Sequence, residues 1–373
     1  MNKRRLIFIS LAADIVLFLF LYVSSDFSIL SAFFVTEIIM WFLRLSFIST
    51  EMFRYILRRM IHIIPILLTV IAIGFLLLQL APGDFFTKLY LEQDLSAETI
   101  DRYREDFALD RPWYEQFFRY IWNVLQGNFG FSAEYRAPVF EIIKQRVGPT
   151  LLLSLSALAV SWGLSIPMGI LAARKQYQWP DQVISVLAFI GLAIPNFFLA
   201  FLILYFVTST NLPLPIGGMT SINFSQMGPI QQFFDVLWHL LIPLFVLSTS
   251  AMAGLTRVMR ANMLEILNAQ YIVTARAKGQ RESLVVSRHA LRNAINPMIS
   301  LLGFQISSIL AGAVLTEVVL SWPGLGQLTL QAILSQDMFL VIGTLIYSSI
   351  LLVLGNLIAD ILLALSDPRV RVG

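Results

Sequence analysis

Residues 257–297 read RVMRANMLEILNAQYIVTARAKGQRESLVVSRHALRNAINP, a basic, helix-prone stretch between two segments too apolar to live in water. Between Arg257 and Arg292 it holds seven Lys and Arg side chains. A polar loop of this length between apolar runs either rests on lipid or meets a soluble partner. Its apolar positions favour one face: Leu264, Leu267, Tyr271 and Ala275, with Thr274 alongside, follow helical spacing from Met263 to Lys278. Gly279 then stands where a helix ends in the left-handed conformation that glycine adopts without strain. A second helical stretch, about Ser283–Ala294, leads back to Pro297. Arg276, Lys278 and Arg281 lie near the end of the first helix. On pattern alone, anionic headgroups and a protein partner remain equal readings of this surface.

The remainder of the chain explains why the stretch stands out. Of 373 residues, 57% are hydrophobic and 13% charged, with a mean hydropathy of +0.76. Soluble domains carry roughly a quarter charged residues, so this composition is that of an integral membrane protein. Runs of about 20 apolar residues match a hydrocarbon core of roughly 30 Å, and backbone groups in lipid must bond within their own segment, which selects helices. The fold class is therefore all-α. Core spans are expected at about Ile61–Leu80, Thr150–Ala172, Val183–Val207, Trp238–Leu255, Met298–Leu320 and Phe339–Leu365. Ahead of them, Leu6–Val23 and Ile29–Phe42 form a two-helix extension. Lys3, Arg4 and Arg5 give it a signal-peptide look, but no small-residue cleavage site follows. Asp14 and Glu37 within it face a helix partner or lie near an interface.

Between the first and second core spans the chain is polar. Ser96 marks a helix start there, and Phe117, Tyr120, Ile121 and Val124 recur at helical spacing, as in an amphipathic helix on the membrane surface or on neighbouring spans. Prolines Pro167, Pro195 and Pro243 interrupt later spans, which packed neighbours can tolerate.

Orientation follows from Lys and Arg counts in alternate loops. Eighteen of the 26 fall on one side: at 3–5, 44–59, 174–175, 257–292 and 369–371. The other eight all lie in Lys88–Arg146, a loop long enough to escape the rule, while Thr208–Leu237 and Ser321–Met338 hold none. Both termini and the 257–297 loop are thus expected in the cytoplasm. No phosphate-binding GxxxxGK[ST], HExxH or GxSxG occurs, there is no cysteine, and His62, His239 and His289 are far apart. No catalytic residue, metal site or bound cofactor is expected.

The run YIVTARAKG (271–279), followed by HALRN (289–293) and Pro297, resembles the cytoplasmic loop of permease subunits of ABC importers of the oligopeptide, dipeptide and nickel class. Laid on Gly279, the broad importer signature places Val273, Thr274 and Ala275 at its E-A-A positions and His289–Arg292 at I-x-L-P. Only Ala275, Gly279 and Leu291 match the general form, and Gln270 stands where the branch has Asp. Further likeness lies in FRYILRRMIHIIPILL (53–68), LAPGD (80–84), GNFGFS (127–132), GLAIPNFF (191–198), SWPGLG (321–326) and DPRVR (367–371), in family order.

The resemblance implies a type I importer permease core of six helices. Residues 1–51 form an added extension, 52–146 the first core helix and an extracytoplasmic segment, 147–366 the remaining five helices, and 367–373 a tail. It also implies a second permease subunit, two cytoplasmic ATPases that bind the ATP, and an extracytoplasmic solute-binding protein, with membrane lipid around them and no nucleic acid. The loop helix becomes a coupling helix, with Leu267, Tyr271, Thr274, Ala275, Arg276, Lys278, Gly279 and Arg281 toward an ATPase. The pathway is expected near Pro167, Pro195, Ser307 and Ser308. Peptides are the expected substrates, with nickel chelates, glutathione or oligosaccharides as alternatives. An ion-driven secondary transporter would need acidic residues within the core spans, and Glu317 and Asp360 sit near span ends; a membrane enzyme would need the motifs that are missing.

Overall fold

The computed structural model describes Ile61, residues 64–74, Leu76, residues 111–132 and residues 134–366. The expected extension at 1–51 with Asp14 and Glu37, the LAPGD turn, the helix start at Ser96 and the tail 367–373 lie outside the described residues. Among those described, extended pairing is confined to one antiparallel ladder, β1 (Phe131–Ser132) with β2 (Ala137–Pro138), in which Phe131 faces Pro138. The rest is helix and connection.

In order these helices are α1 (Ile64–Gly74), α2 (Trp113–Leu125), α3 (Val139–Arg174), α4 (Trp179–Ala193), α5 (Asn196–Thr210) and α6 (Pro229–Leu267). Then come α7 (Gln270–Ala277), α8 (Asn296–Ser300), α9 (Leu302–Val319), α10 (Leu325–Leu334) and α11 (Met338–Ser366). Helices α3 and α6 hold 36 and 39 residues, about 54 and 58 Å at 1.5 Å per residue. Both outrun the expected apolar spans, because the polar residues that flank those spans continue the helix beyond the hydrocarbon.

The two long helices run parallel, and close contacts set their spacing. A Cβ on Gly169 would stand 2.6 Å from Met259 Cβ. Higher up, Ser161 Oγ donates to Ala157 O at 2.6 Å and to Ser248 O at 3.3 Å. Between them the chain returns through α4 and α5, which meet at a bend of 103°. Its cause is Pro195, which disfavours a helical residue before it: Ile194 has φ −91° and ψ 118°, and α5 restarts at Asn196. The pair nevertheless crosses the molecule. Near its start Asp181 meets Arg260 toward the end of α6, through Nε–Oδ1 at 2.6 Å and Nη2–Oδ2 at 2.7 Å. At its far end Val207 packs with Leu320 and Ile242, and Gly218 N donates to Leu320 O at 3.0 Å. The molecule thus has a basic face, where α3 and α6 end, and an opposite face where they begin, the outer one in the expected topology.

The outer face is more structured than a short apolar loop at Ser321–Met338 would suggest, because that segment contains α10. Its start is fastened by Glu317, at the end of α9 and completely buried. Gly326 N and Gln327 N donate to Glu317 Oε2 at 2.7 and 3.3 Å, and Thr150 Oγ1 donates to Oε1 at 2.8 Å. The carboxylate therefore sits at the positive end of α10, where helix N–H groups lack partners of their own. Thr150 Oγ1 also accepts from Leu325 N at 2.7 Å, and Trp322 Nε1 donates to Pro149 O at 3.0 Å. Beside this node, Asp337 accepts from Ser132 Oγ at 2.5 Å and Glu134 N at 3.3 Å, which fixes the β-ladder to the start of α11. Helix α2 lays Phe117, Tyr120, Ile121 and Val124 against the same cluster, with the Tyr120 and Phe339 rings stacked at 6.0 Å.

The SWPGLG motif acquires a packing reason here. A Cβ on Gly326 would lie 2.5 Å from Val314 Cα and 2.9 Å from Glu317 Oε2, and one on Gly324 would collide with the same carboxylate. Val314 Cα belongs to the backbone and cannot swing aside. Gly326→Ala is expected to cost about 1–3 kcal/mol by overpacking and to lower the thermal unfolding midpoint of the purified chain in detergent. Gly228→Ala, where nothing lies within 4 Å of the added carbon, should leave the midpoint unchanged.

Candidate coupling loop

The basic face carries the long polar loop, and its local structure follows from residue chemistry. Helix α6 stops at Leu267, and Asn268 Nδ2 turns back to donate to Leu264 O at 2.9 Å. Ala269 is extended, with ψ 144°, so the chain changes direction before α7 begins at Gln270. The expected periodicity from Met263 to Lys278 is thus divided between two helices, and the break resets the helical phase. Within the eight residues of α7 the buried side chains are Ile272 and Ala275. They pack on Met259, Met263, Val285, Val286, Ala290, Ala294 and Met298, a core that roots the loop on the end of α6 and on the following helical return.

Gly279 closes α7. Its φ is +74°, the left-handed region where a Cβ is costly. Gly279 N donates to Arg276 O at 2.9 Å, and Gln280 N to Ala275 O at 3.3 Å. These two bonds are the paired closure of a Schellman motif, and they satisfy carbonyls the helix end would otherwise leave open. Beyond it the return consists of Glu282–Leu284, a π-helical turn Val285–Ala290 and Leu291–Ala294. Asn262 Nδ2 donates to Ala294 O at 3.1 Å, tying this return to α6.

Of the residues expected toward a partner, Tyr271, Thr274, Arg276, Lys278, Gly279 and Arg281 are exposed. Ala275 faces the protein's own core and Leu267 is half-buried. Tyr271 keeps 43% of its surface open and Val273 50%, so these two are the large apolar groups that α7 presents outward. The hydroxyl of Tyr271 accepts from Asn293 Nδ2 at 2.8 Å, and the His289 ring nitrogen Nε2 pairs with Gln280 Oε1 at 2.8 Å. Arg276 forks onto Glu282 at 3.1 and 2.8 Å, with Nη1 donating to Leu267 O at 3.4 Å. That hydrogen-bonded fork holds the Glu282 carboxyl below its ordinary range and pushes the guanidinium of Arg276 further up. Both partners are about two-fifths exposed, so solvent leaves the pair little net stabilising energy; it fixes geometry more than stability. Spacing does not single out Ile272, because the phase reset at Ala269 is invisible in it, and it carries no signal for the side-chain partners Gln280 and Glu282.

The expected pathway residues are dispersed. Pro167 is exposed on α3, Pro195 sits at the α4–α5 bend, and Ser308 is exposed on α9. Ser307 turns the other way: its hydroxyl donates to Asn356 Oδ1 at 3.0 Å and to Gly303 O at 3.1 Å, locking α9 onto α11.

Residues 165–372 match the family described as the binding-protein-dependent transport system inner membrane component, and residues 52–155 match its N-terminal component. The chain belongs to this family. The permease is 42% identical over 319 residues to the oligopeptide transport system permease protein AppB of Bacillus subtilis, covering 85% of this chain and 99% of that protein. It is 33% identical over 336 residues to the dipeptide transport system permease protein DppB of Escherichia coli K12, covering 86% and 99%. The permease is an all-α, multi-pass inner-membrane component of an ABC importer, and a system of this kind includes a partner permease, ATPases and a solute-binding protein. Among the described residues α3, α6, α9 and α11 are long and apolar enough to span, and the bent α4–α5 pair brings the number to five where it counts as one broken span. Helix α1 packs near Ile342, which meets the space beside Gly74 at 3.2 Å.

The phase of α7 gives a direct test. Ile272→Ala is expected to cost about 2–5 kcal/mol, as truncation of a buried aliphatic does, and to increase proteolysis of the 270–282 segment. Val273→Ala should stay within about 0.5 kcal/mol. Equal effects of the two on the unfolding midpoint and on cleavage would contradict the phase.

Proposed function

We propose that this chain forms half of a peptide-translocating pathway and is driven through α7, which seats in a groove of a cytoplasmic ATPase subunit. One observation carries the reading: a short helix, rooted inward by Ile272 and Ala275 and closed by Gly279, holds Tyr271, Val273, Thr274 and Arg276 outward beyond the apolar spans. A helix fixed at its base and both ends transmits a push as a rigid body, whereas a loop would absorb it. ATP bound by two partner ATPases would draw them together, and the displacement would pass through α7 into α6 and the helical return. That biases one of two arrangements of the spans, as a ligand biases any two-state element. In this reading the ATP is bound and hydrolysed by those partners.

The positive-inside rule supports a cytoplasmic basic face and cytoplasmic termini, with 18 of 26 Lys and Arg on that side. The outer platform of α2, the β-ladder and α10 is then where the solute-binding protein docks. Peptides are the substrate class, a reading supported by the names of the oligopeptide and dipeptide relatives. The pathway runs between this chain and a second permease, past the exposed Pro167, Pro195 and Ser308. Ser307 is left to intramolecular packing.

Gly279→Pro removes the N–H that bonds Arg276 O and forces φ from +74° to about −65°. In complexes reconstituted with ATPases and binding protein, it is expected to lower peptide-stimulated ATP hydrolysis and uptake more than tenfold with membrane insertion intact. Tyr271→Ala should weaken ATPase retention in a pull-down by on the order of tenfold, as removal of a central aromatic anchor does. Unchanged uptake in the first variant together with unchanged retention in the second would rule out α7 as the coupling element.

A further inference from the structure

A cavity of about 390 Å³ opens on the basic face where the ends of α3 and α6 meet the coupling loop. It is lined by Arg174 at the end of α3 and Lys175 just after it, by Leu267 at the end of α6 and Asn268 just after it, and by Arg276 and Glu282 from the loop. Its charges are unequally committed. Glu282, the one carboxylate in the lining, is already held by the fork of Arg276. Arg174 and Lys175 are exposed; Arg174 acts on Glu282 only as a through-space charge, and among the described residues neither side chain has a hydrogen-bond partner.

Helix ends offer a competing explanation, since cations at a C-terminus offset the macrodipole. Each end carries about half a negative charge, so α3 and α6 together contribute about one. Three lining cations against one carboxylate leave an excess of two. About one positive charge therefore remains without a counter-charge, enough to match a single monoanion.

Construction and level specify that anion further. The connection carrying Lys175 is rigidly built: Gln178 N donates to Lys175 O at 2.9 Å, Tyr177 N donates to Asp181 Oδ2 at 2.9 Å, and Arg260 clamps Asp181. Beside it, Tyr177 and Trp179 are 79% and 75% exposed. Exposed Tyr and Trp next to the end of a span mark the headgroup level of a bilayer, where phosphodiesters are the abundant anions. At about 30 Å³ per water, the cavity has room for a phosphate together with a small polar alcohol.

We propose that this cavity binds a phosphate-bearing anion, supplied at this level by the headgroup of an anionic lipid, between Arg174–Lys175 at the end of α3 and Arg276 on the coupling loop. Occupancy ties the coupling loop to the end of a span, so the lipid becomes a stiffening element for α7. The binding stands independently of the coupling role; only that consequence rests on the function proposed above.

The test uses the full chain in nanodiscs of dioleoylphosphatidylglycerol and dioleoylphosphatidylcholine, with retained lipid measured by native mass spectrometry. Arg174→Gln and Lys175→Gln together are expected to reduce tightly retained phosphatidylglycerol by on the order of fivefold for each cation removed. Phosphatidylcholine retention should not change. Both positions are exposed, and an unchanged unfolding midpoint in pure phosphatidylcholine discs confirms that the fold is intact. Addition of inorganic phosphate separates the sources: retention that resists it identifies the lipid headgroup, and displacement identifies a site for soluble phosphate. Equal phosphatidylglycerol retention by the variant and the parent, without any phosphate-induced shift in their unfolding midpoints, would overturn the proposal. Because the readout is lipid retention, it is unaffected if Gly279→Pro leaves transport intact.

Discussion

The parallel contact between α3 and α6 is the constraint on which the molecule depends. It is made possible where Gly169 has no side chain, so that Met259 can close against the backbone of α3. Helices this long need a partner along most of their length, since lipid tails do not distinguish one apolar side chain from another; close packing of small residues supplies the contact instead. Once set, the pair fixes both faces. Its starts carry Pro149 and Thr150 into the outer node, and its ends carry Met259, Met263 and Ala173 into the core beneath α7.

The buried carboxylates of the outer face hold distant segments of an apolar protein together. Glu317 and Asp337 are completely buried, yet both are surrounded by donors. Each joins segments distant in sequence, Glu317 to Thr150 and Asp337 to Ser132. Leaving such a group without partners would cost roughly 1–3 kcal/mol or more, so the nodes hold the platform together cooperatively. On the basic face the corresponding pair is Asp181 and Arg260, which ties the α3–α4 connection to α6. The cationic cavity adjoins α7 where α6 ends, with Arg276 of α7 in its lining, so events at one are mechanically close to the other.

A π-helical turn at Val285–Ala290 widens the return beside α7. Such turns arise where an irregular backbone is held by its surroundings, frequently at functional sites. Here Val285, Val286 and Ala290 are all buried against Ile272 and the α6 methionines, while His289 and Asn293 remain outside to meet Gln280 and Tyr271. The result is a helix whose inner side is packed and whose outer side carries an ordered polar frame around Tyr271.

Composition and periodicity by themselves determined a great deal. Apolar runs long enough to span hydrocarbon can only be helices, because their backbone groups have no other partners, and the glycine after ARAK marks the end of α7. Family order in short motifs such as SWPGLG and TARAKG identified the permease. The tertiary structure alone decided which way those helices face. Spacing ran through Asn268 and Ala269 as if the helix were continuous, but the chain turns there, so Ile272 is buried and Tyr271 and Val273 are presented. Likewise Ser307 bonds within the subunit, Glu317 caps an apolar helix too short to register as a span, and Arg174 and Lys175 share a cavity with Arg276 across about a hundred residues of sequence. Periodicity records burial along one helix; it holds no information on the partners that a turn or a close glycine contact brings from elsewhere in the chain.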